Sequence, residues 1–194
     1  MYTSSIYSNY PTVVLGFHGC EREVGEDILS GKVSHLKKSE NSYDWLGHGI
    51  YFWENSPSRA KEFAENKKGI KDPFIIGAVV SLGNCLNFLD YETLALLAAS
   101  YHAFKVNAEK AGLPMPENQC PSGSSENLIR YLDCAVIEEL HSIYQKLDKP
   151  AFDSSRGVFT EGKPVYPGAG FHEKNHIQLC IRNLDCIKGY FRPL

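Results

Sequence analysis

The chain has 194 residues, 43% of them hydrophobic and 22% charged. That is globular composition, long enough to bury a core without metal or disulfide staples, and it excludes a disordered chain. A formal charge of −3 and a pI near 6.2 exclude the electrostatic footprint of a dedicated nucleic-acid or acidic-membrane binder, although a local basic rim could still hold a nucleic-acid substrate.

Met1 to Pro11 is rich in Ser and Tyr and lacks both a basic n-region and an apolar h-region, so no targeting segment is expected there. No apolar run approaches membrane-spanning length, so no membrane partner is expected. Thr12 to Phe17 (TVVLGF) predicts a short strand ending at His18. Glu21 to Ser30 has helical spacing, with Val24, Ile28 and Leu29 on one side and Gly31 as a C-terminal stop. Lys32 to Leu46 reads as a polar loop closing on Gly47. Ile50 to Trp53 (IYFW) predicts a compact strand before the turn Asn55-Ser56-Pro57. Ser58 is placed to cap a helix running to about Lys67, with Ala60, Phe63 and Ala64 inward.

Phe74 to Leu82 (FIIGAVVSL) has the near-continuous apolar content of a strand covered on both faces. From Tyr91 the pattern turns helical, over Glu92–Ala111 and Ser125–Tyr144, around a Pro/Gly/Ser loop. Strand returns at Gly157–Phe159, Ile177–Ile181 and Ile187–Phe191. The six cysteines (Cys20, Cys85, Cys120, Cys134, Cys180, Cys186) form no C-x-x-C pair, and Cys85, Cys134 and Cys180 read as small buried thiols. A reduced, cytoplasmic protein is the expectation. Strands at both ends of the chain around a helical middle predict one α+β domain over 1–194, with a helical insertion at about 91–148.

Three places put polar side chains beside strand ends, where scaffolds present functional groups: His18-Gly19, Tyr51 within Gly49-Ile50-Tyr51-Phe52, and Gln178. Each has a plain structural reading when taken singly. Their order changes that. FHGC, LGHGIYFWENSPSRAKEFA, VVSLGNCLNFLD and NHIQLCIRNLDCIKGYF resemble the catalytic core of the diphtheria-toxin-like and poly(ADP-ribose) polymerase-like ADP-ribosyltransferases, over roughly 12–90 and 156–191.

The resemblance implies two small packed β-sheets with an NAD cleft between them, and NAD as the substrate. It implies that His18 hydrogen-bonds the adenine-side ribose and that Gly19 offers backbone groups to the nicotinamide carboxamide. Tyr51, following Gly49, would lie against the nicotinamide ring. Ser58 would reach the carboxamide, and Phe63 would supply a second aromatic wall. Aromatic faces suit a flat cationic leaving group. Cys20 stands where the family has Ser or Thr, so one hydroxyl contact is lost.

Departure of nicotinamide leaves an oxocarbenium-like ribose that a carboxylate would stabilise. The late-strand position that carries Glu in the polymerases is read here as Gln178, and relatives lacking that Glu are associated with mono-ADP-ribosylation. Glu161 or Glu173, in the target-recognition loop 156–175, is positioned to supply the missing carboxylate, and Arg156 to reach the pyrophosphate. The implied activity is transfer of ADP-ribose to a protein, RNA or DNA acceptor, in an intracellular toxin or defence effector with a neutralising antitoxin partner. Two alternatives stay open: a module that binds NAD or ADP-ribose without turnover, and an NAD glycohydrolase.

His172-Glu173-Lys174-Asn175-His176 matches H-E-x-x-H, the zinc-protease motif, which requires a helix to bring both imidazoles to one face. The Tyr166–Gly170 turn before it and the β-rich IQLCI after it oppose a helix, so no metal site is assigned.

Overall fold

The computed structural model describes residues 13–121 and 127–194. In chain order its elements are β1 (Val14–Glu21), α1 (Arg22–Leu29), β2 (Ile50–Glu54), α2 (Pro57–Asn66), β3 (Pro73–Val80), β4 (Cys85–Asn87) and α3 (Tyr91–Ala111). They continue with β5 (Asn118–Gln119), β6 (Ile129–Arg130), α4 (Tyr131–Lys146), β7 (Ser154–Phe159), β8 (His176–Ile181) and β9 (Ile187–Phe191). This is the α+β class expected, with two differences of boundary near the site. β1 runs on past His18 to Glu21, because β3 pairs with it along its whole length, from Val14↔Val80 to Glu21↔Pro73. His18 therefore lies inside a strand. Ser58 does not cap α2: Ser56 holds the N-cap position, without a side-chain capping hydrogen bond, and Pro57, which has no N–H to satisfy, opens the first turn. Thr12 lies outside the described residues.

The strands form one seven-stranded sheet in the order β4-β7-β8-β2-β1-β3-β9, where two separate packed sheets were expected; β5 and β6 make a small second sheet. β4 and β7 are parallel and the other neighbours antiparallel. The two halves of the large sheet meet at a narrow seam, since β1 and β2 register only at Gly16↔Glu54 and Phe17↔Trp53. Gly16 makes that approach possible, because a Cβ there would sit 2.8 Å from the Cβ of Phe52.

Apolar side chains of both halves share one core: Ile50, Phe52, Leu179 and Ile181 from β2 and β8 pack with Ile76, Ala78 and Val80 from β3. Sheet periodicity then turns the alternate residues to the other face. There Phe17 and Trp53 pack under Ala60 and Phe63 of α2. α1 presents Ile28 and, partly buried, Leu29 to the core as its spacing predicts, together with Gly25, while Val24 is exposed instead of inward.

The helical middle is docked on β4. Ile137 and Leu140 of α4 cluster with Leu86, and Leu96 and Leu97 of α3 pack against them. α4 starts at Tyr131, later than the predicted Ser125, because Ile129–Arg130 pairs with Asn118–Gln119; residues 125 and 126 lie outside the described segments. Asn118 then caps the helix, its Oδ1 accepting from the N–H groups of Leu132 (3.0 Å) and Asp133 (3.2 Å).

Phe52, at 0% exposure, fills the seam between the two halves. Phe52→Ala should destabilise the fold by about 3–5 kcal/mol in urea unfolding, whereas Val158→Ala, at a position 58% exposed, should change it by about 0.5 kcal/mol or less.

Candidate active site

The register at the seam explains how His18 is held. Leu15 O accepts from Asn55 N–H at 2.9 Å, so every second residue pair beyond it would also be hydrogen-bonded, and Gly19 would lie opposite Tyr51. The ladder stops before that pair. The imidazole of His18 takes the place of the backbone donor, its Nδ1–H donating to Tyr51 O at 2.7 Å. A carbonyl only accepts, so this bond fixes the Nδ1–H tautomer and leaves Nε2 as a lone-pair acceptor with no partner among the described residues. Burial pushes the His18 pKa down and the Tyr51 carbonyl opposes it, so the ring is neutral near pH 7.

Tyr51 is tied down at its hydroxyl. Its oxygen accepts from Leu46 N–H and donates to Gly47 O, both at 2.7 Å, closing the turn before β2. Burial, then the neighbouring Cys180, pushes the phenol well above its ordinary range. Only the ring of Tyr51 is left to meet a ligand, and it packs beside Leu46, Phe159, Cys180 and Trp45.

Gln178 pairs with Trp53 on one side and Gly157 on the other, which puts it on the sheet face of Tyr51. It is half-buried, and its amide makes no hydrogen bond among the described residues. His18, Tyr51 and Gln178 thus come from positions far apart in the chain to three neighbouring strands, β1, β2 and β8, but the His18 ring lies against Phe52 on the face opposite Tyr51 and Gln178.

Along that face runs an aromatic row the sequence did not reveal. Phe63 meets Trp53 at a ring separation of 5.0 Å, Trp53 meets His176 at 6.4 Å, His176 meets Phe159 at 5.9 Å, and Phe159 meets Trp45 at 4.9 Å. Phe63 is therefore a wall against Trp53, in a cluster separate from that of Tyr51. Two arginines lie over the row, Arg59 above Trp53 and Arg130 above Trp45 and Phe159. Glu161 reaches back from the loop after β7 to Arg59 at 2.8 Å, and its carboxylate is 3.5 Å from His176 Nδ1.

Other expected contributors are used differently. Gly19 lets α2 lie on β1, since a side chain there would collide with the Ala60 carbonyl. Gly49 gives way to β8, where a Cβ would be 2.6 Å from Cys180 Sγ. Ser58 is exposed and makes no hydrogen bond among the described residues. Arg156 is engaged by Glu54 through two bonds of 2.6 and 2.9 Å on the opposite face of the sheet, not free for a pyrophosphate. Glu173 accepts from Lys163 N–H and folds the loop on itself, which leaves Glu161 as the loop carboxylate nearer the strands. The H-E-x-x-H segment is a turn leading into β8: His172 donates to Gly162 O and His176 to Lys174 O. No group of three or more His, Cys, Asp or Glu side chains among the described residues is arranged to hold a metal.

Two cavities, of about 360 and 330 Å³, lie elsewhere, one between α2 and Arg192 and one along α4 beside His141. All six cysteines are free, with Cys20, Cys134, Cys180 and Cys186 buried and Cys85 partly so. No helix among the described residues is long and apolar enough to cross a membrane. No protein-family model matches the chain, and a search of curated proteins finds no match.

Two predictions follow from the site's hydrogen bonds and histidines. Tyr51→Phe strands Leu46 N–H and leaves Gly47 O with only the weak Cys180 thiol donor at 3.4 Å, and should cost about 1–3 kcal/mol in urea unfolding. Burial lowers the pKa of His18, His141 (to about 4) and His176 below 6.5, so the native state binds fewer protons than the unfolded chain in that range. Their contribution is present above pH 6.5 and is lost as pH falls toward the folded values, at about 1.4 kcal/mol per pH unit for each histidine. Unfolding free energies at pH 7.5 and 5.0 should show that loss, and a flat profile would contradict it.

Proposed function

We propose that this chain is a mono-ADP-ribosyltransferase that cleaves NAD at the bond between nicotinamide and ribose and transfers ADP-ribose to a protein or nucleic-acid acceptor. The observation that carries this reading is the placement of His18, Tyr51 and Gln178 on three adjacent strands, Tyr51 and Gln178 on the α2 face and His18 beside Phe52 on the other face at the seam, with a bare acceptor nitrogen. The residues fit the substrate chemically. A ribose hydroxyl needs an acceptor, which His18 Nε2 supplies, and the free amide of Gln178 is able both to donate and to accept. A flat cationic ring is suited to the aromatic row from Phe63 and Trp53 to Phe159 and Trp45, on the sheet face that Tyr51 shares.

In this mechanism the chain's residues orient the ribose rather than attack it. His18 receives a hydroxyl hydrogen bond in a fixed tautomer. Gln178 holds the ribose from β8 without a charge. Glu161 faces the same sheet surface, with its charge balanced by Arg59. A full carboxylate about 4 Å from the developing cation would be worth about 4 kcal/mol at an effective dielectric near 20, roughly a thousandfold in rate. A neutral Gln178 forgoes that contribution, which supports single transfer over chain elongation. The same neutrality favours one second reading, a module that binds NAD without turning it over or that passes ADP-ribose only to water. A toxin or defence role with a neutralising antitoxin protein belongs to this proposal as well.

Incubation with NAD labelled separately in the nicotinamide and the adenylate distinguishes these readings. Transfer predicts free nicotinamide together with label on macromolecules; hydrolysis predicts nicotinamide alone; a binding module predicts neither. His18→Ala should slow nicotinamide release by about 10–100-fold, the value of one buried hydrogen bond to the adenine-side ribose that positions the substrate.

A further inference from the structure

Buried polar atoms in folded proteins are hydrogen-bonded, and those that are not call for an explanation such as a ligand. Besides Ser155 Oγ and His141 Nε2, four buried side-chain atoms among the described residues have no partner: Trp53 Nε1, Arg59 Nε, His176 Nε2 and Arg130 Nε. They sit together. Arg59 lies over the Trp53 ring, Trp53 and His176 are ring neighbours, and Glu161 joins Arg59 to His176. Arg130 covers Phe159, which flanks His176 on the side away from Trp53. His176 itself is 6% exposed.

Its orientation is set as that of a catalytic base is. Nδ1–H donates to Lys174 O at 2.7 Å, so Nε2 carries the lone pair, and the Glu161 carboxylate stands 3.5 Å from Nδ1 where it would stabilise an imidazolium. This is the base-plus-orienter arrangement, with Arg59 holding the orienter. His176 is on the same face of β8 as Gln178, two residues earlier.

We propose that His176 is the general base of the transfer step, taking the proton of the acceptor through Nε2, with Glu161 and Arg59 as its positioning residues. The proposal rests on the NAD reading above. As the acceptor's O–H or N–H approaches the ribose carbon, a bond forms from the acceptor atom to that carbon. The carbon–nitrogen bond to nicotinamide breaks, and its electron pair stays on the nicotinamide nitrogen, which becomes neutral. The acceptor's proton passes to His176 Nε2 and from there to water. Access to Nε2 requires loop 160–175 to move. That loop is fastened to α2 by Arg59–Glu161 and by Glu62–Lys174 at 2.7 Å, so the same contacts that orient the base govern its exposure.

The charged groups facing His176 are Glu161 from the loop after β7, Arg59 from α2 and Arg130 from β6. Burial lowers its pKa first, the Lys174 carbonyl and Glu161 raise it, and the two arginines lower it further. The test is steady-state transfer and nicotinamide release across pH 4.5–8, for wild type, His176→Phe, His176→Asn, Gln178→Ala and Glu161→Gln, with thermal unfolding to confirm that each variant is folded. Expected is an acid limb in wild-type kcat below pH 6.5 that both His176 variants lack, a loss of kcat of roughly 10²–10⁴-fold in them, and a KM for NAD changed by less than about threefold. Glu161→Gln should keep the limb and move it to lower pH. Nitrogen chemical shifts of the wild-type imidazoles add a readout independent of turnover, with the Nδ1–H tautomer expected at His176. An Nε2–H tautomer, or folded His176 variants within about threefold of wild-type kcat and with the limb intact, overturns the proposal while leaving NAD cleavage standing. A wild type that releases no nicotinamide overturns the NAD reading and this step with it.

Discussion

The hydrogen bond from His18 Nδ1 to the Tyr51 carbonyl is the contact on which the rest of the arrangement depends. An antiparallel ladder that continued past Phe17↔Trp53 would use Gly19 N–H for that carbonyl and would zip β1 to β2 over their full length. The imidazole ends the zipping and still satisfies the acceptor, which a buried carbonyl requires. β1 is then free to follow β3 for its remaining residues and β2 to follow β8, and one sheet acquires two halves around a shared core. The same bond orients Nε2. A single side chain therefore both divides the sheet and supplies the acceptor at the division.

On either side of the seam the polar groups are treated differently. On the core face, Glu54 and Arg156 neutralise each other in a two-bond ion pair. On the α2 face the row from Phe63 to Trp45 carries arginines whose charges are balanced, Arg59 by Glu62 and Glu161 and Arg130 by Asp133, yet whose Nε atoms are unpartnered. Charge is satisfied there while hydrogen bonding is not. That combination is costly in a closed structure and is removed by a neutral polar ligand or by water, which is why this face, rather than either of the two open cavities, is where we locate the chemistry.

Much of the scaffold was legible in the sequence because it rests on local pattern. The apolar run of β3, the IYFW strand and the late IQLCI strand announce themselves by composition, and Tyr51 and Gln178 lie within two of those runs. What was not legible depends on partners distant in the chain. β1 continues through His-Gly-Cys-Glu, a poor strand sequence, only because β3 pairs with all of it. The helix of the insertion begins late because Asn118, thirteen residues before it, caps it. Trp53 and His176 carry no motif that marks them as a pair; only the register Trp53↔Gln178 brings them within ring contact. The H-E-x-x-H string did single out His176, but for a helical chemistry that the β8 strand cannot perform.

The site's electrostatics also bear on what kind of catalyst the proposed reading allows. The groups that the proposal assigns to the ribose and its acceptor, His18 at the seam and Gln178 and His176 on the α2 face, are all neutral near pH 7, two of them because burial disfavours the imidazolium. Glu161 is the carboxylate beside His176, and it is paired with Arg59. Stabilisation of the oxocarbenium-like state must then come from fixed acceptors and positioning rather than from a full opposite charge. Such a site gains most when the acceptor itself completes it, since a nucleophile bound beneath loop 160–175 would supply the partner that His176 Nε2 lacks. Water alone would be a poor substitute for a bound acceptor that also holds the loop in place. Under the proposal, the buried unpartnered nitrogen on β8 is the feature that would set transfer apart from hydrolysis, against the pull of a neutral Gln178 toward water.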